Sequence, residues 1–188
     1  MKLEFHALTP DRWDDLEELF GLRGATAGCW CMYWRQTGAE WKASGNDERR
    51  KAFHRIVKRG EEPGVLAYED GDAVAWCAVA PREVYRRLEN ARTLKPIDDQ
   101  SVWSVSCFFV KRGYRRQGLT PKLLAAARAH VKAKGGRLME GYPVVPKEGH
   151  MADAFAWTGF VGAFEKAGFQ VAARPSASRA IVRLKLVR

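Results

Sequence analysis

The chain has 188 residues, 46% of them hydrophobic and 29% charged, with a formal net charge of +10. This is the composition of an ordinary globular protein, long enough for a single domain over residues 1–188, and it excludes a collagenous or low-complexity chain. No apolar run approaches the roughly 18 residues of a membrane-spanning helix, and the first ten residues lack a signal-peptide core, so a cytoplasmic protein with no membrane partner is expected.

In chain order, Lys2 to Ala7 alternates as a strand, and Thr9-Pro10-Asp11 opens a helix to about Phe20 with Leu16, Leu19 and Phe20 on one face. Gly21 to Gly45 reads as irregular and aromatic-rich. Asn46 caps a second helix from Asp47 to about Lys58, which turns Phe53, Ile56 and Val57 inward. Gly64–Glu69 and Ala73–Ala80 form a hairpin through Asp70-Gly71-Asp72. Pro81 to Leu94 is a short helix and loop, and Ser101–Val110 a long strand. A helix follows from Thr120 to about Lys134, with Leu123, Leu124, Ala127 and Val131 on one face, and Gly135-Gly136 ends it. Arg137–Val144 is a strand, Pro146–Met151 a loop, Ala152–Ala167 a helix closed by Gly168, and Gln170–Arg174 and Ala180–Val187 are the last two strands.

The most informative stretch joins the long strand to the helix after it. Lys111 to Thr120 carries four cationic side chains and two glycines, with Pro121 in the first helical turn and Thr120 as its cap. A helix N-terminus exposes unpaired N–H groups and a partial positive charge, so it suits a bound phosphate. Gly118 allows close backbone approach, and Arg112, Arg115 and Arg116 add charge.

The same residues resemble the acyl-CoA signature of the GNAT superfamily of N-acetyltransferases: Arg115, then Arg116-Gln117, Gly118, Leu119 and Thr120. Thr120 stands where that signature has Gly or Ala. The phrase Phe164-Glu165-Lys166-Ala167-Gly168-Phe169 is similar to the end of that family's last helix, and the order of elements agrees over nearly the whole chain. The resemblance implies an α+β fold with a central mixed, mostly antiparallel sheet flanked by helices. It implies acetyl-CoA as co-substrate, held by Phe109, Val110, Arg112, Arg115, Arg116, Gln117, Gly118, Leu119, Thr120 and Phe164. It also implies an oxyanion donor among the backbone N–H groups of the fourth strand, near Phe109 or Val110.

An alkyl amine, with a pKa near 10.4, is almost wholly protonated at neutral pH, so a positioned base is worth roughly 10²–10⁴-fold. The candidates are Glu140 on the fifth strand and a water held by Ser104 or Ser106. By two-residue alternation Ser104, Ser106 and Phe108 share one face of the fourth strand, and Val105 and Cys107 the other. The Tyr acid usual in the resembled family is replaced by Phe164, which leaves Tyr142 or Tyr114 as substitutes, or unaided departure of the thiolate. His130 and His150 read as surface residues.

Gly28-Cys29-Trp30-Cys31-Met32-Tyr33-Trp34-Arg35 falls where the resembled family covers its acceptor. With Trp76-Cys77 and Trp103 it is similar to a bacterial subgroup of that family whose substrate is unassigned. Three readings stand: core packing, an acceptor pocket lined by Trp30, Tyr33 and Trp34, and metal binding by Cys29, Cys31 and a further thiol or His. The spacing lacks a second ligand pair, so no metal is expected, and free thiols suit a reducing compartment. Aromatic walls favour an apolar or planar amine over a polycation. The reading is acetylation of a small-molecule amine by a monomer or homodimer. Its rivals are acetylation of a protein N-terminus or lysine, CoA binding without turnover, and, less favoured, RNA binding.

Overall fold

The computed structural model describes residues 2–146 and 156–187. A seven-stranded sheet runs in the order β1 (Leu3–Ala7), β2 (Gly64–Glu69), β3 (Asp72–Pro81), β4 (Trp103–Val110), β5 (Leu138–Gly141), β7 (Arg179–Lys185) and β6 (Gln170–Ser176). Only β4 and β5 are parallel; the other neighbours are antiparallel. The helices are α1 (Trp13–Phe20), α2 (Gly38–Ala43), α3 (Asn46–Lys58), α4 (Arg86–Glu89), α5 (Leu119–Ala133) and α6 (Val161–Lys166). The expected α+β architecture is the one observed.

Periodicity explains where the helices sit. On α5, Leu119, Leu123, Leu124, Ala127 and Val131 are buried in a core formed with the Val65, Val74, Cys77 and Val105 face of the sheet. On α3, Phe53, Ile56 and Val57 are buried, and with Leu16, Leu19 and Phe20 of α1 they form a second core on the opposite face, against Leu66 and Trp76. A third cluster, around Trp34, Tyr85, Leu88, Tyr142 and Ile181, closes one end. The β2–β3 hairpin turns on two left-handed residues, Asp70 (φ 52) and Gly71 (φ 89), one fewer than the three read from the sequence.

Several local expectations change. Helix α3 begins at Asn46 itself, and its first turn is closed by the Gly45 N–H donating to Glu48 Oε2 at 2.9 Å. The Asn46 side chain instead accepts from Trp30 Nε1 and donates to the Leu22 carbonyl. Helix α5 starts at Leu119, so Gly118 and not Thr120 is its cap. The stretch read as irregular contains α2, opened by reciprocal bonds between Thr37 and Glu40. The Thr-x-x-Glu spacing is a capping-box signal that the aromatic density obscured. The helix expected from Ala152 is α6, beginning at Val161; its expected first part, the end of the loop before it, and His150 lie outside the described residues.

Candidate active site

Strand β4 makes the site by breaking its own alternation. Cys107 pairs with Ala78 and Val105 with Val79, so Ser106 is an extra residue without a partner on β3. This bulge turns Ser106 and Cys107 to the same side of the sheet, while Val105 and Phe108 pack in the core under α5. Alternation from Ser104 therefore fails at Phe108. Pairing with β5 stops at Val105, and beyond it the two strands part. The Phe108 N–H, freed from any ladder there, donates to the Trp157 carbonyl at 2.7 Å.

Into that parting opens a cleft of about 390 Å³, lined by Phe109, Val110, Tyr114, Arg115, Arg116, Gly118, Leu119 and Thr120, with Ala163 and Lys166 on the far wall. Arg116 (φ 62) and Gly118 (φ 74) both take the left-handed conformation that brings the chain round onto the start of α5. At Gly118 a side chain would be strained by φ and would point into open space, the space a ligand needs. Arg115 Nε donates to the Val110 carbonyl at 3.0 Å, fixing its guanidinium beside the strand end. The N-terminus of a 15-residue helix and three cationic side chains make this cleft a strong anion site. Arg112 and Gln117 do not line it; the Gln117 amide turns back to the Gly113 carbonyl.

A second cleft, of about 280 Å³, meets the first at Thr26, Phe108, Phe109 and Trp157. Its walls are aromatic, from Phe20, Tyr33, Trp34, Trp41 and Trp157, with Ser106 and the thiols of Cys29, Cys31 and Cys107. The loop that roofs it is held in strained backbone: Ala25, Ala27, Trp30 and Cys31 all have positive φ. Burial pushes the Cys29 thiol up to about 11. Contact with Cys31 and then burial raise Cys107 well above the usual range. Cys29 and Cys107 are therefore protonated at neutral pH and poor nucleophiles. Among the described residues no cluster of three or more His, Cys, Asp or Glu is placed to hold a metal ion.

The sequence model of the GNAT acetyltransferase family matches residues 26–155, which include the bulged strand and the helix-start loop. The protein is a GNAT acetyltransferase. No curated protein matches the chain. Among solved structures it is similar to an N-acetyltransferase of Staphylococcus aureus Mu50, at 16% identity over 98% of this chain and 99% of that one, with a TM-score of 0.56. It is also similar to the PaiA N-acetyltransferase of Thermoplasma acidophilum in complex with coenzyme A, at 18% identity over 99% and 100%, TM-score 0.52. A third is the polyamine N-acetyltransferase of Drosophila melanogaster, which forms N-acetylagmatine, at 12% identity over 98% and 100%, TM-score 0.60. At these identities the likeness is one of fold.

Within the acetyltransferase, two residues read from the sequence as proton carriers, Glu140 and Tyr142, lie away from both clefts. Glu140 is fully buried, accepting from Arg82 Nη1 (3.1 Å), the Tyr142 hydroxyl (2.8 Å) and Arg183 Nε (2.7 Å). Tyr142 is also fully buried, accepts from Arg82 at 2.8 Å and bonds Ser104 Oγ at 2.7 Å. Burial, and then the Glu140 charge, hold its hydroxyl far above the ordinary tyrosine range. Neither residue lines a cleft, so the structure corrects both expectations: this is a structural ion-pair network. Ser106 does line the aromatic cleft, and its carbonyl accepts from Trp34 Nε1 at 3.2 Å.

Phe164 is corrected in the same way. It is buried between Phe108 and Phe169, so close under β5 that a Cβ on Gly141 would lie 2.3 Å from its ring. Trp30 is core too, stacked on Trp13 at 6.1 Å and clear of the cleft that Tyr33 and Trp34 line. Tyr114 lines the anion cleft, with its hydroxyl held by Glu69, which raises its pKa. The sequence reading missed Phe20, Trp41, Trp157 and Lys166. Lys166 stood in the quoted Phe-Glu-Lys phrase, whereas nothing local marks the three aromatics as neighbours.

Proposed function

We propose that this acetyltransferase moves the acetyl group of acetyl-CoA onto the amine of a small molecule. The observation that carries the reading is the meeting of two unlike clefts at Phe108 and Phe109, one cationic, the other aromatic and mostly apolar. A volume near 280 Å³ suits a small molecule and is short of the open polar groove a peptide needs.

Arg115, Arg116, Lys166 and the first turn of α5 are suited to hold the pyrophosphate, with Gly118 keeping the approach clear. Bound acetyl-CoA supplies a thioester carbonyl open to amine attack. Phe108 N–H and the Val110 carbonyl both face the β5 side of β4, so alternation puts Val110 N–H on that same edge, suited to receive the developing oxyanion. The leaving thiolate, with a parent pKa of about 8.5, departs near neutrality without a tyrosine acid.

The test is free-thiol release from acetyl-CoA across an amine panel, paired with calorimetry of CoA binding. Gly118→Trp, which fills the open space beside the helix start, is expected to abolish CoA binding. Arg115→Ala is expected to weaken it by about 1–3 kcal/mol, as for a charge-assisted contact. Unchanged affinity in both variants removes the CoA assignment. Binding with no thiol release for any amine reduces the protein to a CoA-binding module.

A further inference from the structure

We propose that the acceptor is a weakly basic aromatic amine, bound unprotonated among Tyr33, Trp34 and Trp157 of the aromatic cleft, and not an alkylammonium ion. The inference rests on the proposed transfer to a small-molecule amine and specifies its acceptor class.

The first support is the chemistry of the walls. Among the described residues that line the cleft, the titratable groups are Cys29, Cys31, Cys107 and Tyr33. No carboxylate or imidazole is among them. A protonated alkyl amine entering there would give up its hydration and meet no anion among the described lining residues. It would also find no described residue on that wall to take its proton, and alkyl amines are almost wholly charged at neutral pH. In an aromatic amine the nitrogen lone pair is delocalised into the ring, so its conjugate acid is far stronger and the neutral form predominates. Such an amine needs no general base before it attacks.

The second support is the charge behind the walls. Arg87 lies over the Tyr33 ring at 4.2 Å, held there by the carbonyls of Gln36 and Thr37. Arg49 lies over Trp41 at 3.6 Å, held by the carbonyls of Gly28, Trp41 and Ser44. Arg179, held by the Tyr142 carbonyl and Thr158 Oγ1, adds a third positive charge in a neighbouring cleft that Tyr33 and Trp34 also line. Neither Arg87 nor Arg49 lines the cleft. Aromatic boxes that capture cations do so with free ring faces. Here two rings already carry a fixed guanidinium, so a second cation is repelled while a planar neutral ring is not. Tyr33 meets Trp34, Trp41 and Trp157 edge-on at centroid distances of 5.1 to 5.3 Å, an arrangement that offers ring edges and faces to a further aromatic group.

The transfer balances without an added reagent. The neutral nitrogen forms a C–N bond with the thioester carbon, the C–S bond breaks, and the sulfur leaves with the electron pair. The proton shed by nitrogen ends on that sulfur, giving the anilide and the free thiol of CoA.

The experiment compares aniline with cyclohexylamine, similar in size and opposite in basicity, by thiol release from acetyl-CoA. At pH 7 kcat/KM for aniline is expected to exceed that for cyclohexylamine by at least about tenfold. Between about pH 6 and pH 9 the aniline value should stay flat, while the cyclohexylamine value climbs about tenfold per unit as its neutral fraction grows. In Arg87→Met the aniline-to-cyclohexylamine ratio should fall several-fold; because each variant supplies its own ratio, a reduced folded fraction does not imitate this. Cyclohexylamine matching or surpassing aniline at pH 7 overturns the acceptor class and leaves the transferase reading standing. An Arg87→Met ratio equal to that of the parent protein overturns the role of the backing charge. No thiol release with either amine, in protein that still binds CoA, overturns the acceptor class, and the amine panel then decides the transferase reading separately.

Discussion

Single residues divide here by whether they meet a cleft or one another. Glu140 has every oxygen engaged by Arg82, Arg183 or Tyr142, and Arg183 carries on to Asp98. Removing the charge leaves two guanidinium groups around a neutral amide, so Glu140→Gln is expected to cost about 3–5 kcal/mol of stability in denaturant unfolding. The shape of its pH–rate profile should not move, because Glu140 lies away from the reacting atoms; a lost acidic limb would return it to the mechanism. Tyr142→Phe should likewise lower kcat less than about tenfold. Cys29 gives a pH prediction. Its folded pKa, about 11, lies above the ordinary 8.5, so the folded state holds the proton more tightly than the unfolded one. That contribution is complete below about pH 8.5 and is lost as pH rises towards 11. Alkylation of Cys29 by iodoacetamide should therefore be much slower than that of a free thiol at pH 8, and equal rates would show that it is exposed.

Among the elements, the bulge at Ser106 and the roof loop shape the site more than any regular helix does. Ser106 is the extra residue that lets β4 present both Ser106 and Cys107 to the aromatic cleft. The roof loop stores strain, for an alanine in the left-handed region costs roughly 1–2 kcal/mol. Ala27, at φ 54, is such a residue. Ala27→Gly relieves that strain at the cost of extra unfolded-chain entropy, so a rise in stability of up to about 1 kcal/mol is expected, seen as a higher Tm. A lower Tm would mean that the loop does not hold this conformation. How far this region was legible differs by segment: the Thr37–Glu40 capping signal was present in the sequence, whereas the left-handed alanines carry no local mark.

For the molecule as a whole, the excess of ten positive charges is placed to matter where the anion cleft opens. A polyanionic ligand drawn to Arg115, Arg116 and Lys166 feels a screened field at surface depth. CoA affinity should therefore fall several-fold between about 0.05 and 0.5 M salt in calorimetry, whereas binding of an uncharged acceptor should be nearly constant. Equal salt dependence for both would deny that charge organises the cleft. No helix among the described residues is long and apolar enough to cross a membrane.

The sequence by itself determined the order of the seven strands, the inward faces of α3 and α5, and the loop from Arg115 to Thr120, because each is written in a local period or in adjacent residues. It also brought Tyr33 and Trp34 forward through their density in one short segment. Only the tertiary structure decided that Glu140 and Tyr142 face a pair of arginines, that Phe164 and Trp30 are core, and that Trp41 and Trp157 complete the wall of the aromatic cleft. Those outcomes depend on where β4 and β5 part and on one unpaired residue in β4. Neither leaves a periodic trace in the chain, since a bulge reverses the inside and outside of every residue beyond it.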